Sequence, residues 1–363
     1  MRKIFFVPIE PIKARYSIQW NAWFGEFLSE ENIPYEFIIP ENDLGQGIIR
    51  EGQFLDVIGT NFYKSQQLSI LCQKLNTGEI KDNDVILFSD YWFPGVEMLF
   101  YIRDAMGLKF KIAGILHAGT WDEKDFLYQV GMARWARNIE KSWIEQADIV
   151  FVATEFHKKL ICKGLNWDLN SWKADTIKVV PFPIKEDISV YTHPDVFEKF
   201  KDNCNSKIMV FPHRLAPEKQ PDKFDALFRM YSDLSNRFTP IKTALFGGLN
   251  SKELYYSALA KSTFSISFAL QETFGIAMLE SVIHGSVPIV PNRLSYKELY
   301  PSIFKYSIHE SQPEIKAVYN KINSLWYDMP LTELKQELYD FRKVVLSNGN
   351  RAIPTIINHC LII

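Results

Sequence analysis

Apolar residues along this chain gather in short runs, each closed by polar, glycine or proline positions. Such runs occur at residues 3–8, 35–40, 85–88, 111–116, 149–153, 207–211, 243–246, 264–268 and 287–290. Runs of this length predict buried β-strands. Between them the apolar spacing turns helical, at residues 18–30, 65–75, 131–147, 155–163, 274–283, 313–326 and 331–346. Apolar positions three or four apart place one face of a helix against a core. Strands alternating with helices predict an α/β chain built from βα units. Residues 45–59 read as an irregular insertion and 164–178 as a polar loop, while the segment 353–363 is apolar enough to dock rather than trail.

The pattern is sharpest over residues 264–291. Phe264, Ile266 and Phe268 alternate with Ser265 and Ser267, which predicts a strand with one apolar face buried. From Phe274 onward, Ile276, Leu279 and Ile283 stand about a helical turn apart, and Gly285 occupies a helix C-cap position. Gly275 lets backbone approach a ligand closely, and a helix start there turns unpaired N–H groups toward an anion. Thr273, Phe274, Gly275 and Ile276, at that helix start, are candidate ligand contacts around a phosphate site, flanked by Glu272 and Glu280. The plainer alternative is an ordinary βαβ unit with surface glutamates.

Residues just beyond the carboxyl ends of strands face the ligand crevice in doubly wound folds. Here they are Lys13, Arg15 and Tyr16 in loop 9–17, Asp90 and Trp92 after strand 85–88, and His117 and Trp121 after strand 111–116. Later in the chain they are Arg214 and Lys219 in loop 212–219, and the pair Gly247-Gly248. A histidine so placed suits a hydrogen bond to a hydroxyl or carbonyl group of a ligand. Each also has a structural alternative: solvated loop charges, a capped and packed helix start for Asp90 and Trp92, a satisfied structural histidine, a simple glycine turn. Asp82-Asn-Asp84 precedes a strand and reads as a turn rather than a metal site. In helix 131–147, Trp135, Ile139 and Trp143 form a stripe read as core. Arg134, Arg137 and Lys141 cluster on another face, either solvated or able to steer a polyanion.

The 363 residues are enough for two domains, and the proline-stiffened stretch Val179-Val-Pro-Phe-Pro183 puts their boundary near 184–204. A formal charge of −2 gives no global basic field for nucleic acid, though it leaves room for a local patch. The four cysteines show no metal-ligand spacing and read as reduced thiols of a cytoplasmic protein. No apolar run is long enough to span a membrane.

The sequence Glu272-Thr-Phe-Gly-Ile-Ala-Met-Leu-Glu280, closed by Gly285-Ser-Val-Pro288, resembles the Glu-x7-Glu motif of retaining GT-B glycosyltransferases. Pro212-His-Arg-Leu-Ala-Pro-Glu-Lys219 resembles the same family's Gly-Arg-Leu-x-Pro-Glu-Lys-Gly segment, with His213 and Gln220 in place of the two glycines. The resemblance covers residues 206–292 well and the first domain only by element order and His117.

It implies a GT-B architecture, two Rossmann-like doubly wound domains facing a cleft: residues 1–190 on the acceptor side, 191–345 on the nucleotide-sugar side, and 346–363 docking back on the first. It further implies a nucleoside-diphosphate sugar donor, read as a UDP-sugar such as UDP-glucose, with no metal or other cofactor. Arg214 and Lys219 would grip the diphosphate, Glu272 and His117 the donor sugar, Glu280 the ribose, and Gly247 and Gly248 the nucleotide. Arg15, Tyr16, Asp90, Trp92 and Trp121 fall to the acceptor. The opening Ile9-Glu-Pro-Ile-Lys-Ala-Arg-Tyr16 and the stretch from His117 to Phe126 are similar to bacteriophage-encoded glycosyltransferases that decorate hydroxymethylated pyrimidines, which implies double-stranded DNA as acceptor. Alternatives are transfer to a small molecule or polysaccharide, sugar-nucleotide epimerisation, and a non-catalytic binding module.

Overall fold

The computed structural model describes residues 2–12, 16–41, 56–185, 207–243, 252–308 and 312–363. The chain divides into two compact units. The first holds the described residues up to Phe182 together with Arg351–Ile363, and the second holds Pro183–Asn350.

The first unit is a six-stranded sheet in which every paired strand runs parallel. Its strands are β1 (Ile4–Val7), β2 (Tyr35–Phe37), β3 (Val85–Phe88), β4 (Lys111–Ile115), β5 (Ile149–Val152) and β6 (Ile177–Val179). The helices between them are α1 (Ser17–Glu30), α2 (Val57–Asn76), α3 (Val96–Met106), α4 (Phe126–Gln129), α5 (Ala133–Gln146), α6 (Glu155–Leu165) and α7 (Trp172–Asp175). The spatial order β2-β1-β3-β4-β5-β6 reverses direction between β1 and β3. All residues of β1, β3 and β5 are buried, as strands covered on both faces must be.

Three sequence readings change here. The helix expected at 65–75 begins at Val57, because the Asp56 side chain caps it by accepting from Ile58 N; part of the stretch read as an insertion is thus helix. The loop read over 164–178 contains α7 and the start of β6, whose pairing with β5 completes the sheet edge. The buried face of α5 is Ala136, Glu140, Trp143, Ile144 rather than a stripe starting at Trp135, which is 45% exposed.

The second unit is a five-stranded parallel sheet of β7 (Lys207–Phe211), β8 (Phe238–Lys242), β9 (Ser262–Ile266), β10 (Val287–Pro291) and β11 (Lys305–Tyr306). The order is β11-β10-β9-β7-β8, so direction reverses between β7 and β9. Its helices are α8 (Pro221–Met230), α9 (Ser232–Arg237), α10 (Lys252–Lys261), α11 (Ile276–Ile283), α12 (Tyr296–Leu299), α13 (Glu314–Asn323) and α14 (Leu331–Ile362). The strand β8 ends before most of the 243–246 run, which lies outside the described residues. The serines of β9 do not face water. Ser262 and Ser265 both hydrogen-bond to Ser286 Oγ, at 2.7 and 2.6 Å, inside the unit.

The last helix does not stop near residue 346. It continues through Pro354 to Ile362, where Ala352, Ile353, Ile356, Ile357 and Cys360 make a buried stripe. Burial of that stripe outweighs the one backbone bond a proline removes.

Gly349, inside this helix, lies against the Ile184 carbonyl so closely that an added Cβ would collide with backbone. Alanine normally favours a helix over glycine by about 1 kcal/mol. Gly349→Ala is expected to do the reverse and destabilise the second unit by about 1–3 kcal/mol, read as a lowered urea midpoint.

Candidate functional site

In the second sheet the reversal between β7 and β9 leaves a crevice at the strands' carboxyl ends, which is where open α/β sheets bind ligands. The two loops leaving those strands carry the sequence's best candidates. After β7 the chain reaches a short 3-10 turn, Pro217–Lys219, that buries Lys219. Its Nζ donates to the Gln271 backbone carbonyl, to Gln271 Oε1 at 3.2 Å and to Glu272 Oε2 at 3.0 Å. Arg214 is ion-paired with Glu218 one turn along, and the Glu218 carbonyl accepts from Leu270 N at 2.8 Å. The structure therefore brings Arg214, Lys219 and Glu272 together.

Gly275 opens α11 with φ +85°, and a Cβ there would stand 3.0 Å from the Tyr296 ring. Both conformation and space call for glycine. Thr273 and Phe274 are buried and Ile276 is half-buried. The first N–H groups of α11 have no intrahelical acceptor and mark the positive end of its dipole. Glu280 lies on the buried side of the helix, where its two oxygens accept from Tyr255 OH at 2.9 Å and Tyr256 OH at 3.1 Å. Burial raises its pKa against Lys252 and the two tyrosines. Gly247 and Gly248 lie outside the described residues.

His213 and Gln220, where the resembling motif has glycines, show how the loop manages without them. His213 is buried; its Nε2 is 2.8 Å from Ser267 Oγ, which is 3.0 Å from Tyr296 OH, and its Nδ1 is 4.0 Å from Glu272 Oε2. Burial first, then Lys219 and Arg214, hold its pKa well below the usual histidine value, so the ring is a neutral strut. Gln220 keeps the left-handed backbone a glycine would take, with φ +59°, and so leads directly into α8.

In the first sheet the reversal lies between β1 and β3. Asp90, just past β3, pairs with the buried Lys64 of α2 at 2.8 Å and accepts from Trp92 N. Burial would raise the Asp90 pKa, but Lys64 and His117 together hold it below the usual value. Both nitrogens of His117 are occupied, Nε2 by the Ser89 carbonyl at 2.7 Å and Nδ1 by Tyr16 OH at 3.0 Å. The carbonyl can only accept, so Nε2 carries the proton. Burial lowers the His117 pKa despite Asp90, and the rings of Trp20 and Phe182 lie 5.2 and 4.8 Å away. Lys13 and Arg15 lie outside the described residues.

The indoles are held rather than open. Trp92 Nε1 donates to Glu140 Oε2 at 3.2 Å, and Trp121 packs on Gly164 with the Arg137 guanidinium 5.3 Å from its ring. Arg137 also sits over Tyr128 and donates to the Thr120 carbonyl, so it turns inward, whereas Arg134 and Lys141 are exposed. The basic face expected on this helix is therefore smaller than its sequence spacing implied. Sequence reasoning passed over Lys64, Gln271, Tyr296 and Glu140. Glu140 alone left a signal, a charge on the apolar side of a helix between Ala136 and Trp143.

No family model matches the chain. It is 27% identical over 209 residues to the tRNA-queuosine alpha-mannosyltransferase of Drosophila melanogaster, a match covering 48% of this chain and 55% of that protein, about half its length. Among solved structures it is similar to sucrose-phosphate synthase from Thermosynechococcus elongatus, with TM-score 0.67 and 13% identity, covering 99% of this chain and 98% of that one. It is also similar to Anabaena HepE in complex with UDP-glucose, with TM-score 0.58 and 16% identity, covering 99% and 98% of the two chains. Two parallel sheets with this coverage give the chain the GT-B fold.

Left-handed backbone costs a non-glycine residue about 1–2 kcal/mol, partly offset by the freedom glycine loses on folding. Gln220→Gly is expected to raise stability by up to about 1 kcal/mol, read by chemical denaturation. A loss of stability would show that the Gln220 side chain holds the loop.

Proposed function

We propose that this protein is a retaining glycosyltransferase that moves a sugar from a nucleoside-diphosphate sugar to an acceptor hydroxyl. The observation that carries the reading is the convergence of Lys219, Glu272 and the α11 N-terminus at the β7/β9 reversal. In this reading the diphosphate lies against Arg214, Lys219 and the first N–H groups of α11. As the anomeric carbon–oxygen bond breaks, these groups stabilise the charge growing on the leaving phosphate. The acceptor oxygen bonds to the anomeric carbon on the face the diphosphate leaves, and its proton passes to a departing phosphate oxygen. The leaving-group charge is thereby assigned to the protein's own cations.

Glu272 would orient the sugar hydroxyls. It already shares Lys219, so donor binding would add the diphosphate to an existing pair instead of creating a lone buried charge. Glu280, held between Tyr255 and Tyr256, would meet the ribose, and His117 the donor sugar. His117 can do so only by exchanging its Tyr16 contact. The likeness to a UDP-glucose complex supports a UDP-sugar donor.

For the acceptor we infer a hydroxyl on a modified base of a nucleic acid. Hydroxymethylated pyrimidine in double-stranded DNA is the first reading, supported by the sequence resemblance around residues 9–16 and 117–126. The second is a modified nucleoside of tRNA, favoured by the name of the Drosophila relative. A screen of UDP- and GDP-sugars against hydroxymethylated DNA, unmodified DNA, bulk tRNA and free nucleosides, read by mass spectrometry, separates these outcomes. Conversion of the donor without any acceptor would replace transfer by epimerisation, and absence of donor binding would leave a non-catalytic module.

Arg214→Ala and Lys219→Ala are each expected to cost about 2–4 kcal/mol of transition-state stabilisation, seen as a fall in kcat/KM; near-wild-type turnover in both would remove the diphosphate assignment. If nucleic acid is bound, Arg134→Ala with Lys141→Ala should lower the slope of log affinity against log salt by about 2, and Arg137→Ala should act through the loop instead.

A further inference from the structure

The carboxylate of Glu140 is 1% exposed, as a residue, in a helix face that is otherwise apolar. Its Oε2 accepts three bonds: from Thr120 N at 2.9 Å, from Thr120 Oγ1 at 2.9 Å and from Trp92 Nε1 at 3.2 Å. Oε1 has no hydrogen-bond partner among the described residues and presses on Gly119, where an added Cβ would collide with it. One turn earlier on α5, Arg137 donates to the carbonyl of the same Thr120, at 3.2 Å. Two residues three apart on one helix thus hold both the N–H and the C=O of a single residue in the loop between His117 and Asp125. The same pair also fixes Trp92 and Trp121, through Glu140 and the Arg137 cation–π contact.

We propose that Glu140 is a positioning residue that locks the His117–Asp122 loop and Trp92 in place, and that ionisation of its carboxyl loosens the lock. The inference rests on the glycosyltransferase reading for its functional meaning, since this loop leads from His117 and carries Trp121. A buried carboxylate with one unpartnered oxygen is poorly solvated, so ionisation favours an opened loop that lets water reach it. The charged groups around it do little to relieve this. Asp125 of the same loop opposes ionisation, Arg137 is committed to Trp121, Tyr128 and the Thr120 carbonyl, and Glu97 accepts from Trp143 Nε1 at 2.9 Å. Burial first, against the Thr120 and Trp92 bonds and helped by Asp125, pushes the pKa up to about 7. Because the pKa is raised from the ordinary 4.5 to about 7 when the loop is closed, closure is most favoured below about 4.5, weakens as pH rises toward 7, and loses its pH dependence above that, where both forms are ionised.

Hydrogen exchange of peptides spanning residues 117–129 tests this in wild type, Glu140→Gln and Glu140→Leu between pH 5 and 8.5. Comparing variants at equal pH cancels the intrinsic exchange rate. Glutamine keeps an acceptor oxygen and removes the ionisation, so Glu140→Gln should protect the loop with no pH dependence of its own. Wild-type exchange relative to that variant should rise by up to about tenfold per pH unit as pH climbs toward 7 and level off above it. Glu140→Leu should expose the loop at every pH while peptides from 262–291 stay protected. Identical pH behaviour of wild type and Glu140→Gln would overturn the proposal, as would an unchanged loop in Glu140→Leu. Should the leucine variant not fold, the wild-type and glutamine comparison decides alone. UDP-glucose calorimetry on the same proteins keeps the two readings apart: loss of binding in wild type counts against the donor site, not against the loop. With turnover on hydroxymethylated DNA, Glu140→Gln should shift the pH profile of kcat while leaving KM for UDP-glucose unchanged.

Discussion

The contact between Lys219 and Glu272 spans the point where strand order reverses in the second sheet. The loops of that crevice are arranged about it. The β7 loop must bend sharply to deliver Lys219, which is why Gln220 accepts left-handed backbone to start α8. The β9 loop must pass close enough for Gln271 and Glu272 to meet the ammonium, which Tyr296 and Ser267 support from below. Taking a lysine and a carboxylate this far from water is costly unless each satisfies the other, and removing either would strand its partner.

The first sheet repeats the device with different parts. At its own reversal, Lys64 from α2 reaches Asp90 beyond β3 and also donates to the Trp92 carbonyl at 2.7 Å. In both sheets a nearly buried lysine crosses the crevice to a carboxylate on the other side of the break. The strands themselves stay paired there, but the loops beyond them leave on opposite faces of the sheet, so the gap lies between loops that share no backbone ladder. A long cationic side chain with three donors fills it without a fixed geometry.

Much of this was legible in the sequence, and the failures have physical causes. The apolar runs located most of the strands because interior parallel strands tolerate few polar residues. β6 was missed because its edge position leaves two of its three residues only half-buried, which erases the apolar run. The α5 face was misplaced by one residue because a tryptophan looks like core and a glutamate does not. Burial of Glu140 depends on Thr120 and Trp92, which are distant in sequence. Arg214, Lys219 and Glu272 were readable as a group only through a motif, since no local pattern announces that loops some fifty residues apart share a crevice. Lys64 left no trace at all, because nothing in an amphipathic helix marks which of its lysines points inward.

In the second unit, Ser262, Ser265 and Ser286 share one buried chain of hydroxyls, anchored where Ser262 Oγ meets the Leu259 carbonyl at 2.8 Å. Such a chain behaves as one unit under substitution. Removing a single hydroxyl leaves a neighbour with an unanswered donor or acceptor in a dry interior, whereas replacing the three together by apolar groups of matching volume can come out near neutral. Drift at these positions is therefore expected to be concerted: lineages that keep one serine keep the set, and those that lose it lose it whole.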